Sequence, residues 1–170
     1  MFKEQQPPTN PNEQFSQLMN LLADRPDLKQ KMVPDILLIQ ELAPELERKV
    51  LQIASGFYGK INCNGTSVYL IGLTEKPMRV SPIKEMIEYL KSMTRNKELL
   101  PGSLVCYTAH PGLGEVYVPH SGILFLSKSG EQLVLHKPSY EDPLKIEPIE
   151  KAFDLKNVRG AGELESYSLK

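Results

Sequence analysis

Three side chains in this sequence have the types and the spacing needed for nucleophilic chemistry. The chain holds only two cysteines and three histidines, so the position of each is informative. Cys63 stands in a short polar stretch just before a strongly apolar run. A nucleophilic cysteine needs a base and often a third group that orients the base. The sequence predicts acyl-transfer chemistry with Cys63 as nucleophile, His120 as base and His136 as the residue that orients His120.

The environment predicted for Cys63 depends on the apolar run at 66–73. Periodicity alone allows this run to be a strand or a buried helix. If it is a helix, Cys63 lies in the first turn, where unpaired N–H groups and the helix dipole lower a thiol pKa. A backbone N–H at the same place can hold an oxyanion. We expect Gly65 to leave room for a substrate and the loop around Tyr58 to wall a cleft.

The two histidines are predicted to lie on neighbouring antiparallel strands. These strands cover 120–126 and 132–136 and are joined by a polar turn at 127–130, which would place His120 opposite His136. Side chains alternate between faces, so the pair shares a face only if the register sum is even. A simple four-residue loop gives an odd sum, whereas a glycine bulge at Gly130 restores an even one.

The elements that must position these residues change character along the chain. Helices fill the first half and antiparallel strands the second, which is typical of an α+β domain. Residues 1–11 are predicted to be a disordered arm rich in Gln and Pro. Residues 12–170 are predicted to be one domain, with a helical segment at 12–55 and a catalytic core at 56–170. Helices are predicted at 15–22, 28–32, 35–42, 44–55 and 81–95, and strands at 104–107, 116–118, 120–126, 132–136, 145–149 and, at an edge, 166–169.

Composition narrows the classes of function. The 170 residues are 41% hydrophobic and 24% charged, with a net charge of −1, as in ordinary globular proteins. No basic excess indicates a nucleic-acid partner, and no polybasic cluster or long apolar run indicates a membrane. The polar, proline-rich N-terminus lacks the apolar core of a signal peptide. We therefore expect a cytoplasmic location, or export by a route independent of a signal peptide.

Several stretches together resemble the NlpC-type branch of the papain-like cysteine hydrolases. The resemblance covers about residues 57–138, roughly half of the chain. It departs from the family at Asn62, Asn64 and Ser103, where Asp, Ser and Asp are usual, and these departures bear on substrate class before they bear on the triad. The matching pieces are Tyr58-Gly59, Cys63 at a helix start, Pro101-Gly102-Ser103-Leu104-Val105, His120-Ser121-Gly122-Ile123 and His136 at the end of the next strand.

The resemblance implies a papain-like fold and hydrolysis of an amide bond through a thioester, often in peptidoglycan stem peptides. It implies no metal or organic cofactor. The substrate would be a peptide, a peptidoglycan fragment or a protein, as expected of an effector or toxin amidase, an enzyme that recycles murein peptides, or an enzyme that modifies a protein. Residues predicted to bind substrate or line the cleft are Tyr58, Asn62, Asn64, Gly65 and Ser121.

Alternatives stay open at this point. The same triad could deamidate glutamine or transfer an acyl group, and a catalytically inactive binding module could keep the fold. A cysteine before an apolar run is more often a buried small hydrophobe than a nucleophile. Cys106 is expected in the core and His110 on the surface, and no cysteine or histidine pair has the close spacing of a zinc module. The oligomeric state and any pairing of Cys63 with Cys106 are not determined by the sequence.

Overall fold

The computed structural model of this protein describes residues 10–39, 42–110, 114–155 and 162–170. In these ranges the chain is an α+β structure with a six-stranded antiparallel sheet. Residues 1–9 of the predicted arm lie outside the described residues. Pro11, which was assigned to that arm, instead begins the first helix behind the N-cap Asn10.

Prolines begin three of the helices. Pro11, Pro26 and Pro44 each stand in the first turn, where proline costs no backbone hydrogen bond. Within the described ranges, no helix is long and apolar enough to cross a membrane. The helices are α1 Pro11–Leu22, α2 Pro26–Met32, α3 Pro44–Ala54, α4 Cys63–Ile71, α5 Glu85–Ser92 and α6 Ile149–Ala152, with a 3-10 turn at Ile36–Leu38.

The strands form one sheet in the order β1-β6-β2-β3-β4-β5. Each neighbouring pair in this order is antiparallel. The strands are β1 Thr94–Arg95, β2 Leu104–Ala109, β3 Tyr117–Leu126, β4 Gln132–His136, β5 Lys145–Pro148 and β6 Gly162–Ser168.

Helix α4 is buried in the main core. Its residues from Asn64 to Leu70 are all buried, and Gly72 ends it in the left-handed conformation at φ 96°. A helix that is apolar on all sides needs a buried position. Val68 and Tyr69 belong to the same core cluster as Ile123 of β3, so this sheet face holds the helix that begins at Cys63.

The opposite face of the sheet carries a smaller core. Val105, Leu124, Val134 and Phe153 form it, and Phe153 follows α6 directly. Because side chains alternate along a strand, Leu124 points to this face while Ile123 points to the main core. The smaller core therefore lies on the same side of the sheet as His120, Gly122 and Leu124 of β3 and the even-numbered residues of β4.

Two predicted helices are wrong in their extent. The predicted helix at 35–42 is only the 3-10 turn Ile36–Leu38, after which Ile39 forms a bridge with Ser127. The helix predicted at 81–95 begins at Glu85 and ends at Ser92. Thr94 and Arg95 are a strand because they pair with β6, a partner distant in sequence.

Three predictions for the strands also need correction. The strand expected at the edge, 166–169, is β6, which lies inside the sheet between β1 and β2. The two short strands predicted at 116–118 and 120–126 are one continuous strand, β3. The strand predicted at 145–149 ends at Pro148, and Ile149 begins α6.

Candidate active site

Cys63 is the first residue of α4. Asn62 is the N-cap, and its side-chain oxygen accepts a hydrogen bond from the backbone N–H of Gly65 at 2.9 Å. The first intrahelical bond runs from Thr66 N–H to the Asn62 carbonyl at 2.9 Å. The predicted helix at this position is therefore confirmed, and the N–H groups of Cys63 and Asn64 lie in its open first turn.

The thiol lies against the backbone of β3. Its sulfur is 3.7 Å from the Pro119 carbonyl oxygen and 3.8 Å from the Asn64 Oδ1 atom. The backbone N–H of Ser121 also acts on the sulfur. Pro119 and Ser121 are the two chain neighbours of His120, so the sulfur lies beside the strand segment that carries the predicted base.

The described residues contain no direct hydrogen bond between Cys63 and the His120 ring; the thiol donates toward the Pro119 carbonyl instead. In enzymes without bound substrate, such bonds are often long and tighten only in the reacting complex. The sulfur therefore lies beside the backbone that carries His120, while the His120 ring itself contacts His136 and Phe153.

Burial, rather than the helix start, determines the sign of the thiol's pKa shift. Burial raises the pKa of Cys63 above its ordinary value, while the backbone N–H groups of Ser121, Asn64 and Cys63 itself lower it by less. The sequence predicted a lowered pKa, and that prediction is wrong in its net direction. Desolvation disfavours the thiolate, so Cys63 rests as a neutral thiol near pH 7.

A bulge in β3 precedes His120. Tyr107 of β2 faces His120, whereas Ala109 faces Tyr117, so Val118 and Pro119 together oppose the single residue Thr108. Such a bulge bends the strand and redirects the side chains that follow it.

His120, His136 and Glu147 form a continuous hydrogen-bonded chain. His120 Nε2 lies 2.7 Å from His136 Nδ1, and His136 Nε2 lies 3.2 Å from Glu147 Oε2. The two rings are nearly perpendicular, at 86°, and Phe153 meets the His120 ring edge-on with centroids 5.3 Å apart. His136 is only 2% exposed, so its ring has little freedom to turn.

The electrostatic environment of His120 and His136 keeps both imidazole rings neutral. Burial and, to a smaller extent, His136 lower the pKa of His120 to about 4, although the carboxylate of Glu147 acts in the opposite direction. Burial also lowers the pKa of His136 despite its hydrogen bond to Glu147. Burial raises the pKa of Glu147, but hydrogen bonds from Lys151 and His136 lower it by more, so the carboxyl stays ionised.

The hairpin between β3 and β4 has the predicted bulge. Gly130 adopts φ 85°, its N–H bonds the Ser127 carbonyl at 2.9 Å, and Ser127 N–H bonds the Glu131 carbonyl at 2.9 Å. This is a three-residue loop with glycine in the left-handed position. The prediction that Gly130 places both histidines on one face is confirmed.

The exact opposition of the histidines is wrong. The ladder pairs Ile123 with Leu135, so Gly122 lies beside His136, and His120 lies one diagonal step away. A Cβ atom at Gly122 would come within 2.4 Å of Val134 Cγ1 and 3.1 Å of His136 Cβ. Glycine is therefore required here for β3 and β4 to approach beside the two rings.

Three of the predicted cleft residues position the site from inside the protein. Asn62 Nδ2 donates to the Val80 carbonyl at 2.6 Å, and its Oδ1 accepts from Val80 N–H at 3.1 Å. Asn64 is 1% exposed; its Nδ2 donates to the Val118 carbonyl at 2.9 Å and its Oδ1 accepts from Ser121 Oγ at 2.7 Å. Because Asn64 and Ser121 are buried, they join α4 to β3 and do not line a cleft.

The roles predicted for Gly65 and Tyr58 also change. A Cβ atom at Gly65 would lie 1.8 Å from the Met78 carbonyl oxygen, so the glycine allows backbone packing and does not leave room for substrate. The Tyr58 hydroxyl donates to Asn12 Oδ1 at 2.5 Å, which ties this loop to α1.

The remaining cysteine and histidine, Cys106 and His110, are not part of the hydrogen-bonded group of His120, His136 and Glu147. Cys106 is buried and free, and burial raises its pKa to about 12. His110 is exposed after the end of β2. Over the described ranges, no group of three or more His, Cys, Asp or Glu is placed to hold a metal ion.

A cavity of about 400 Å³ adjoins the segments that lead into the site. Ile61 lines it two residues before Cys63, and Lys137 lines it directly after His136. Gly56 and Gly59, of the loop predicted to wall a cleft at Cys63, also line this cavity, whereas Cys63 itself does not.

Glu147 is the member of the site that sequence reasoning missed. A glutamate in a short predicted strand gives no signal that distinguishes it from a solvent-facing residue, and only the pairing of β5 with β4 brings it to His136. No protein-family model, curated protein or solved structure matches this chain.

Proposed function

We propose that this protein is a papain-like cysteine hydrolase that cleaves an amide or peptide bond. The observation that carries the proposal is the position of the Cys63 sulfur, 3.7 Å from the carbonyl oxygen of the residue before His120, with His120 hydrogen-bonded to His136. Thiol, base and orienting group then follow the order that covalent catalysis by cysteine requires. The NlpC-type resemblance of residues 57–138 supports the same chemistry.

The reaction begins from a neutral pair. His120 removes the thiol proton as the Cys63 sulfur attacks the substrate carbonyl carbon, since the raised pKa of Cys63 and the lowered pKa of His120 disfavour a resting ion pair. The N–H groups of Cys63 and Asn64 in the first turn of α4 stabilise the resulting oxyanion.

Three proton transfers complete the turnover. His120 gives its proton to the leaving amine as the carbon–nitrogen bond breaks, which leaves a thioester on Cys63. Water then attacks the thioester while His120 takes a proton from it. The acid leaves, and the proton on His120 returns to the sulfur.

The proposed substrate is a peptide, with peptidoglycan stem peptides first and a protein second. The cavity lined by Ile61, two residues before Cys63, and by Lys137, directly after His136, offers a place for a segment of a peptide. This choice of substrate rests on the resemblance and on the position of the cavity.

The raised pKa of Cys63 favours one second candidate, a non-catalytic binding module with the same fold. A buried thiol with no activating partner is typical of a structural cysteine. Reactivity of the thiol separates the two candidates.

The deciding experiment is alkylation of Cys63 by iodoacetamide across pH, followed by intact mass, in wild type, His120→Ala and the control His110→Ala. Buried Cys106 serves as the unreactive internal reference. We expect labelling at pH 6 to fall about 100-fold in His120→Ala, within the usual range for loss of a general base, and to be unchanged in His110→Ala. Slow labelling that rises only in alkaline solution and ignores His120 would establish the binding module.

Product analysis then identifies the reaction. Purified peptidoglycan and model peptides are incubated with wild type or Cys63→Ala, and products are separated by mass. Cleaved peptides that depend on Cys63 support hydrolysis. Ammonia release without chain cleavage would show a deamidase, and a product joined to an added amine would show an acyltransferase.

A further inference from the structure

Glu147 makes a different contact with each carboxylate oxygen. Oε1 accepts from Lys151 Nζ at 2.8 Å, and Oε2 lies 3.2 Å from His136 Nε2. Its side chain is 16% exposed, and His136 is 2% exposed. The pair is therefore largely shielded from water, where an electrostatic interaction is stronger than at the surface.

We propose that Glu147 is a positioning residue that fixes the tautomer of His136 and, through it, the tautomer of His120. This inference rests on the proposed function of Cys63 and His120. Glu147, which lies on β5 beyond β4, is thereby given a role in the reactivity of Cys63.

The direction of both hydrogen bonds is assigned from the Glu147 carboxylate, whose role as acceptor is fixed. An ionised carboxylate only accepts, so His136 Nε2 must carry the hydrogen that it donates to Glu147. A neutral imidazole carries one N–H, so His136 Nδ1 is an acceptor. At 2.7 Å from that acceptor, His120 Nε2 must be the donor.

The consequence reaches the candidate base. With hydrogen on Nε2, neutral His120 has its free lone pair on Nδ1, the only ring nitrogen left to take a proton from Cys63. The opposite tautomer would leave Nδ1 protonated and unable to act as base. In this way a carboxylate two hydrogen bonds away selects the reactive form of the ring.

The segment from β5 to Phe153 holds this arrangement in three places. β5 supplies Glu147, α6 supplies Lys151 as a second partner for the carboxylate, and Phe153 meets the His120 ring edge-on. The carboxylate also favours the protonated ring that forms during turnover, because the charge of Glu147 raises the pKa of His120. Lys145 and Asp142 act on His136 with opposite signs.

Nitrogen-15 NMR of the histidine rings tests the relay without any substrate, since the two ring nitrogens report the tautomer directly. The chain has three histidines, so single His→Gln variants assign each ring. In wild type above pH 7 we expect the Nε2–H tautomer for both His120 and His136. In Glu147→Leu, which removes the acceptor at similar volume, we expect both rings to become tautomer mixtures.

Two further variants control this comparison. Glu150→Leu removes an exposed carboxylate three residues away in α6 and should leave the rings as in wild type. Glu147→Gln keeps an oxygen acceptor and should stay closer to wild type than Glu147→Leu. Unchanged tautomers in Glu147→Leu, an Nδ1–H form of His136 in wild type, or identical spectra for the Gln and Leu variants would each overturn the relay.

Alkylation of Cys63 separates failure of the relay from failure of the proposed function. We expect Glu147→Leu to slow labelling at pH 7 by about 10- to 100-fold, the loss seen when the outer partner of a metal-bound histidine is removed. Tautomers that follow Glu147 while labelling ignores His120 would support the relay and refute the hydrolase. Labelling that needs His120 but not Glu147 would refute the relay alone.

Discussion

His120 and His136 share one short hydrogen bond, 2.7 Å between Nε2 of the first and Nδ1 of the second, and both rings are held neutral by burial. The protein therefore stabilises two uncharged imidazoles side by side. This state has consequences for stability that can be measured without a substrate.

We expect the free energy of unfolding to fall as the pH is lowered from 7 to 4. Folded His120 has a pKa of about 4 against an ordinary value of 6.5, so between these values the unfolded chain binds a proton that the folded chain does not. Stability then rises with pH across this window, by up to about 3 kcal/mol for His120. Urea unfolding from pH 4 to 7 measures the slope.

His120→Gln should remove a large part of this slope, whereas His110→Gln, at an exposed position, should keep it. Lowering the pH further protonates Glu147. Because the pKa of Glu147 lies below its ordinary value of 4.5, the stability that its ionised form contributes is lost only below that pH. Equal slopes in wild type and His120→Gln between pH 4 and 6.5 would contradict the neutral buried ring.

The pH profile of the proposed hydrolysis should be broad. Activity requires neutral His120 and protonated Cys63, so the acid limb of kcat/KM should lie near the His120 pKa of about 4. The alkaline limb should lie above the ordinary thiol value of 9.0, because burial raises the pKa of Cys63. A preformed thiolate–imidazolium pair predicts a different result, an acid limb set by the thiol.

The measurement is kcat/KM from pH 4 to 10 on the first peptide found to be cleaved. A plateau from about pH 5 to 8 would agree with the two pKa values. An alkaline limb well below the ordinary thiol value of 9.0 would show that activity needs a protonated His120, as in an ion pair at rest, and the neutral-pair mechanism would have to be abandoned.

Gly122→Ala should disrupt the site through the backbone. The new Cβ would meet Val134 Cγ1 at 2.4 Å and the Leu135 carbonyl oxygen at 2.9 Å, so β3 and β4 must separate beside His136. Overpacking of this kind costs about 1–3 kcal/mol. Thermal unfolding gives the cost, and the ring NMR signals of His120 and His136 show whether their bond is lost.

The double variant Gly122→Ala/Val134→Ala provides the control. It removes the closest clash but leaves the backbone contact with Leu135, so we expect partial recovery of the His120–His136 signals. An unchanged melting temperature in Gly122→Ala would mean that the strands have room for a Cβ atom.

Local sequence signals predicted the parts of the site that local structure builds. The polar stretch around Cys63 before the apolar run placed Cys63 in the first turn of α4 if that run is a helix, and Gly130 predicted the bulge that puts both histidines on one face. These features depend on a few neighbouring residues. The order of helices before strands gave the α+β class in the same way.

Tertiary contacts determined what the sequence did not show. The sign of the Cys63 pKa shift depends on how deeply β3 buries the thiol, which no local pattern records. Glu147 reaches His136 only because β5 pairs with β4, and β6 lies inside the sheet because β1, distant in sequence, pairs with its outer side.

Asn62 should not be replaceable by aspartate, although aspartate is an equally good N-cap residue. Its oxygen accepts from the N–H groups of Gly65 and Val80, which a carboxylate could also do. Its Nδ2, however, donates to the Val80 carbonyl at 2.6 Å, where a carboxylate oxygen would meet another acceptor. The amide thus joins the start of α4 to the segment before α5 by both a donor and an acceptor.

We expect Asn62→Asp to lower the free energy of unfolding by about 1–3 kcal/mol, the cost of an unsatisfied buried acceptor. Asn62→Ala loses all three hydrogen bonds and should cost more. Asn10→Asp is the matched control. Asn10 caps α1 only through its side-chain oxygen, which accepts from Asn12 N–H, and an aspartate oxygen can accept the same bond. Urea unfolding of the three variants orders them. If Asn62→Asp is as stable as wild type, the Val80 carbonyl has another donor, and the difference at Asn62 from the aspartate usual in NlpC-type hydrolases has a cause other than this contact.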